Sequence, residues 1–113
     1  MPNKSKVYLD DILQSIERIK KYTKNLSFAE FAKNTVVSDA VIRNLEIIGE
    51  AVKRLPAEIK KEYDEIEWKK IAGLRDILIH EYSGVNLEIV WDVVVNKIPM
   101  LKIAIRKMAA DLK

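Results

Sequence analysis

The chain's single histidine, His80, stands in the run RDILIHEY at residues 75–82, with Arg75 five residues ahead, Asp76 four ahead and Tyr82 two behind. No other side chain titrates unaided between pH 5 and 8, so acid–base chemistry near neutrality would pass through this ring. Arg75 supplies a cation that ordinary pH does not remove and that presents planar donors to an oxyanion. Asp76, one helical turn before His80, could hold one ring nitrogen and leave the other facing a substrate. The plainer reading of the same pair is a surface ion pair near a helix end. On an ideal helix Arg75 and His80 point about 140° apart, from 100° per residue, so one straight helix cannot aim both at one atom. Their convergence requires either an unwound helix end near Ser83-Gly84 or a second copy of the run across a two-fold axis.

Other polar groups could support such a site. Arg43, Glu46, Glu50 and Arg54 fall near one stripe of a helical segment; they are either a salt-bridge ladder or a supporting shell around a cleft. Trp68 and Trp91 could stack on bases, but their helical spacing with Ile71, Val94 and Ile98 reads as core or interface. Asn44 and Gly49 read as permitting close helix packing. Zero cysteines exclude a disulfide scaffold, a thiolate nucleophile and any Cys-based metal site. One histidine does not assemble a usual transition-metal site, so no metal and no cofactor is expected.

The elements that must position these residues are helical. Apolar residues recur three and four apart nearly everywhere, and no alternating run bounded by turn signals appears. The periodicity predicts a first helix over residues 5–24 with Leu9, Ile12, Leu13, Ile16 and Ile19 on one stripe, then a short helix after Ser27 carrying Phe28 and Phe31. A third helix runs from about residue 34 to 55, where Pro56 stops it and opens a short helix through residue 63 from its first position. A fourth spans about 67–82, stopped by Ser83-Gly84, and the last covers 86–112, with Pro99 kinking or splitting it. The fold class is all-α, a bundle of four to five helices with short connecting helices.

The chain has 113 residues, 49% hydrophobic and 33% charged, which fits one compact domain over residues 1–113. A chain of this size buries a little under ~70% of its unfolded surface, so an oligomeric contact would help it. No uncharged run approaches the ~18 residues that a membrane span needs, and the N-terminus lacks a signal-peptide pattern, so a cytoplasmic protein without membrane partners is expected. The net charge is +3, with an uneven distribution: residues 1–33 carry seven basic and four acidic groups, residues 34–96 eight and twelve, and residues 97–113 five and one. Such modest basic ends predict weak nucleic-acid affinity, so any nucleic-acid chemistry rests on a few placed residues.

Three segments in series carry a family resemblance. Arg75-x-x-x-x-His80-x-Tyr82 resembles the signature of the HEPN ribonucleases, specifically the HepT-like toxins of two-gene toxin–antitoxin modules. RNLEIIGEAVKRLP at residues 43–56 is similar to the helix that precedes the motif in that family. WKKIAGLRDILIHEY followed by Val90-Trp91 resembles its Trp-x-x-Ile-Ala-Gly lead-in and the aromatic of its last helix. Asp76 stands where many relatives have Asn, and Glu67 where a Pro is frequent.

The resemblance implies a homodimer whose two motif helices flank one cleft, with Arg75 and His80 catalytic; Asp76, Arg43 and Glu50 are the candidate supporting residues read from helical spacing. It implies a metal-independent endoribonuclease that cleaves RNA through 2′-hydroxyl attack. It also implies a nucleotidyltransferase antitoxin of the MntA type that silences the toxin by adding AMP to Tyr82. The competing readings are a non-catalytic helical module that binds RNA or nucleotide beside such a transferase, and a purely structural helical dimer.

Overall fold

The computed structural model describes residues 4–80 and 85–112, apart from the side chains of residues 75 and 77–80. Helix α1 (Lys4–Thr23) buries Leu9, Ile12, Ile16 and Ile19, none more than 1% exposed, because their three-and-four spacing puts them on one side. The Thr23 hydroxyl donates to the Ile19 carbonyl at 2.8 Å, and Asn25 then turns the chain in the left-handed region (φ 63°), which asparagine tolerates better than most residues.

Ser27 begins α2 (Phe28–Lys33) with a reciprocal cap. Its hydroxyl accepts from the Glu30 N–H at 3.1 Å, and the Glu30 carboxylate accepts from the Ser27 N–H at 2.9 Å. The Ser27 N–H, together with the Ser27 side chain, holds the Glu30 carboxyl below its usual range. Helix α3 (Thr35–Arg54) is capped by the Asn34 side chain and sets Val41, Leu45, Ile48 and Val52 into the core against α1.

Leu55 ends α3 in the extended conformation that a following proline favours. Pro56 then occupies the cap of α4 (Ala57–Lys61), one position earlier than the sequence suggests, and α4 ends at Lys61 rather than reaching residue 63. Helix α5 (Trp68–His80) packs along α3. The expected stop at Ser83-Gly84 lies outside the described residues.

The last helical stretch is divided. Asn86 accepts from the Glu88 and Ile89 N–H groups to cap α6 (Leu87–Asp92), a π-helical turn follows over Val93–Lys97, and α7 (Ile98–Asp111) completes it. The break expected at Pro99 is present, but its form differs. Pro99 sits in the first turn of α7, and the backbone accommodates it by widening the turn ahead, so that the Ile98 N–H donates to the Val93 carbonyl five residues back.

Four long helices, α1, α3, α5 and α7, thus form the bundle, with short helices between them and no strand among the described residues. α1 packs on both α3 and α7, and α2 bridges α3 and α6. Phe31, Leu101, Ile105 and Met108 fill the centre. Among the described residues no helix is long and apolar enough to cross a membrane.

Candidate active site

Helix α5 carries the motif, and its start is tied down from three directions. The Trp68 indole N–H is shared between the Lys60 and Tyr63 carbonyls, at 3.1 and 3.0 Å, which anchors α5 to α4 and the turn after it. The Tyr63 hydroxyl donates to Asp111 Oδ2 at 2.9 Å, joining that turn to the end of α7. Glu67, just ahead of α5, pairs with Lys70 at 2.8 Å and with Lys97 of the π turn at 3.0 Å. Those two ammonium groups hold its carboxyl down to about 2. A carboxylate at this position also complements the positive end of the helix dipole.

Arg75 and His80 both fall in the last two turns of α5, and the described helix ends at His80. Their side chains, and Tyr82 as a whole, lie outside the described residues. Asp76 is exposed, and its carboxylate lies 3.7 Å from Lys53 Nζ of α3, a loose pair between two half-exposed groups. The expected pairing of Asp76 with His80 lies outside the described residues; among the described ones Asp76 faces Lys53, which spacing does not single out.

Of the four-residue stripe on α3, the described pairing is Arg54 with Glu50, with Nε and Nη2 donating to the same oxygen at 3.2 and 2.9 Å. Arg43 is exposed on the same helix and Glu46 is half-buried. Asn44 and Gly49 are buried, as close packing requires, and the Asn44 amide donates to the Ala40 carbonyl at 2.8 Å. Trp68 and Trp91 are both packed against the core. Trp91 lies over Phe31, with ring centroids 4.9 Å apart, and near Phe28 at 6.3 Å, so this partly buried ring is held against the core.

A groove of about 570 Å³ opens between α5 and the run from α6 to α7. Its apolar wall consists of Ile66, Ile71, Leu74, Ile89, Val93 and Met100, and Gly73 lies on the α5 side. The legible signal for it was an isolated glycine inside a helical pattern. Among the described residues no cluster of three or more acidic or histidine side chains is arranged to hold a metal ion.

The family model described as ribonuclease HepT-like matches residues 12–108 of the chain. A "Probable ribonuclease HepT" of Thermococcus cleftensis is 43% identical over 102 residues, covering 90% of this chain and 93% of its own. A "Putative RNase" of Caldanaerobacter subterraneus subsp. tengcongensis is 46% identical over 101 residues, covering 89% and 90%. A "Gamma-glutamylcyclotransferase and putative RNase" of Methanocaldococcus jannaschii is 49% identical over 107 residues, which are 95% of this chain and 48% of that longer protein. No solved structure matches the chain.

Proposed function

The chain belongs to the HepT-like ribonuclease family, and from that premise we propose that it is a metal-independent endoribonuclease toxin, cutting RNA with Arg75 and His80 in a cleft between two copies. The observation that carries this reading is the position of both residues in the last two turns of one helix, α5, braced at its start by Trp68 and Glu67 and along its length by α3. A site that must place charge within tenths of an ångström gains from such a rigid support.

The chemistry follows from the two residue types. The 2′-hydroxyl of RNA attacks the adjacent phosphorus and the bond to the 5′ oxygen breaks, leaving a 2′,3′-cyclic phosphate and a 5′-hydroxyl; DNA lacks the nucleophile. His80 takes the proton from the attacking hydroxyl or delivers one to the leaving oxygen, a contribution of typically ~10²–10⁴-fold. Arg75 holds the phosphoryl oxygens and stabilises the charge added in the transition state. Asp76, Arg43 and Glu50 support the pair. With one histidine and no cysteine the chain lacks the nitrogen and sulfur ligands of a usual transition-metal site, and the proposed route requires no metal.

Two copies are needed because positions 75 and 80 diverge by about 140° around one helix. Mixing therefore tests the site. Arg75→Ala and His80→Ala should each be inactive alone, whereas co-assembly should restore roughly a quarter of wild-type turnover, since half the dimers are mixed and each mixed dimer keeps one intact pair. No recovery from verified mixed dimers would refute the shared cleft.

Silencing is assigned to Tyr82, two residues past the described end of α5. A partner nucleotidyltransferase antitoxin directs the phenol oxygen onto the α-phosphorus of ATP, pyrophosphate leaves, and a phosphodiester carrying about one negative charge stands where RNA phosphate must enter. Intact-mass analysis after co-expression should show additions of about 329 Da, AMP less water, on Tyr82. Tyr82→Phe should remain active and escape this inhibition.

A further inference from the structure

Exposed lysines continue the motif stripe of α5 back toward its start. Positions 69, 76 and 80 fall within about 40° of one another on the helical wheel, so Lys69 and Asp76, both exposed, share a stripe with position 80. That stripe is roughly 16 Å long, at 1.5 Å per residue. Lys53 of α3 stands beside it, its ammonium group 3.7 Å from the Asp76 carboxylate, and both groups are about half exposed. So loose and solvated a pair holds its lysine weakly, and an arriving phosphate can take the lysine over.

At its far end the stripe meets a hollow of about 550 Å³ between α4 and the start of α5. Lys60, Lys61, Lys69 and Lys70 line it against only two carboxylates, Asp64 and Glu67. Glu67 holds Lys70 at 2.8 Å, and Lys60 donates to the Val52 carbonyl at 3.2 Å. Among the described residues no ion pair engages Lys61 or Lys69, and both are exposed. The apolar groove toward α6 and α7 has the opposite balance, with Glu65, Glu67 and Asp92 against Lys70 and Lys97. A polyanion therefore finds its complement on the lysine side.

We propose that Lys53, Lys69 and Lys61 form a phosphate track, along which a single RNA strand runs from the catalytic pair to this hollow. Its length matches about five nucleotides of a stacked strand, at ~3.4 Å each, or fewer of an extended one. Lysines on a backbone read no base, so the track supplies affinity and a preference for length, not a choice of sequence. The proposal rests on the ribonuclease reading of the motif and adds where the uncut remainder of the substrate lies.

The test measures binding apart from cleavage. Its probe is a labelled 2′-O-methyl oligoribonucleotide of about twelve nucleotides, which keeps every phosphate but lacks the attacking hydroxyl, so the wild-type chain binds it without cutting. On a single strand each phosphate contact contributes about 0.7 to the slope of log Kd against log salt concentration. Fluorescence anisotropy over a range of salt should show that slope lowered by about 0.7 in Lys53→Gln and in Lys69→Gln, and by about 2 when Lys61→Gln is added to both. At ~0.15 M salt each single variant should bind about three- to ten-fold more weakly. Lys53→Arg should restore the slope, and Lys21→Gln, at an exposed position of α1, should leave it unchanged.

Unchanged slopes in Lys53→Gln and Lys69→Gln overturn the track, whether or not the wild type cuts RNA. An equal fall in Lys21→Gln reduces the effect to net charge and overturns it as well. Poly-glutamate that binds with the same lysine dependence, where the oligonucleotide does not bind, gives the lysines to an acidic protein and does the same. Slopes that fall as expected in a chain that cuts no RNA uphold the track and refute the ribonuclease reading alone.

Discussion

Replacing Phe31 by alanine would show whether the six-residue α2 is a structural pin or only a connector. Phe31 is fully buried, its ring centroid 4.9 Å from that of Trp91 and tilted by 37°. Deleting a buried phenylalanine side chain typically costs about 3–5 kcal/mol, part from lost transfer energy and part from the cavity left behind. The cavity should persist, because Phe28 is held on the same short helix by the reciprocal Ser27–Glu30 cap and cannot move in without breaking it.

We therefore expect a loss of about 4 kcal/mol, a large fraction of the ~5–15 kcal/mol that stabilises a typical domain. The melting temperature should fall by roughly 10–20 °C. Phe31→Leu restores most of the volume but not the ring pair, so it should cost only about 1–1.5 kcal/mol. Urea denaturation followed by far-UV circular dichroism measures both, and a double-mutant cycle with Trp91→Leu should return a coupling near 1 kcal/mol. A loss below about 1 kcal/mol for Phe31→Ala, or equal losses for the two variants, would refute the reasoning.

Cleavage of RNA should persist in EDTA and fall at least ~10²-fold in either Arg75→Ala or His80→Ala with helicity unchanged; loss with chelator and recovery with a divalent ion would sink the metal-free route. Glu67 titrates lower in the folded protein than its ordinary value of 4.5, down to about 2, so its stabilising contribution is present above about pH 4.5 and disappears as pH falls through the folded value. Glu67→Gln should therefore flatten the acid limb of the stability profile over that window, and identical slopes for wild type and variant would contradict the Lys70–Glu67–Lys97 arrangement. Ser27→Ala removes one half of the α2 cap and should cost about 0.5–2 kcal/mol in urea denaturation.

Much of the architecture is legible without coordinates because helix periodicity and caps are local. The stripe of Leu9, Ile12, Ile16 and Ile19 predicts the buried face of α1, Ser27 predicts the start of α2, and Pro56 predicts the end of α3. That Trp68 and Trp91 pack against the core was also readable, since their spacing reads as core or interface. The family was legible as a motif. The run from Arg75 to Tyr82, with the segments before and after it, carries the family membership that the similarity to known relatives shows.

What spacing could not supply is whatever depends on residues far apart in the chain meeting in space. Lys97 reaches Glu67 across thirty positions, and Lys53 faces Asp76 from another helix. The two basic ends of the sequence, distant along the chain, come together only because α1 packs on α7, with Lys102 paired to Glu17 at 2.7 Å. Pro99 announces a break, but whether strain resolves as a kink or as a π turn depends on which bonding pattern keeps Val93, Ile98 and Leu101 in the core. Gly73 is the sharpest case. The sequence shows a glycine inside a helix, and only the packed bundle shows that among the described residues nothing outside its own helix backbone comes within 4 Å of where a Cβ would stand, because the space around a residue is a property of the whole fold and of no local pattern.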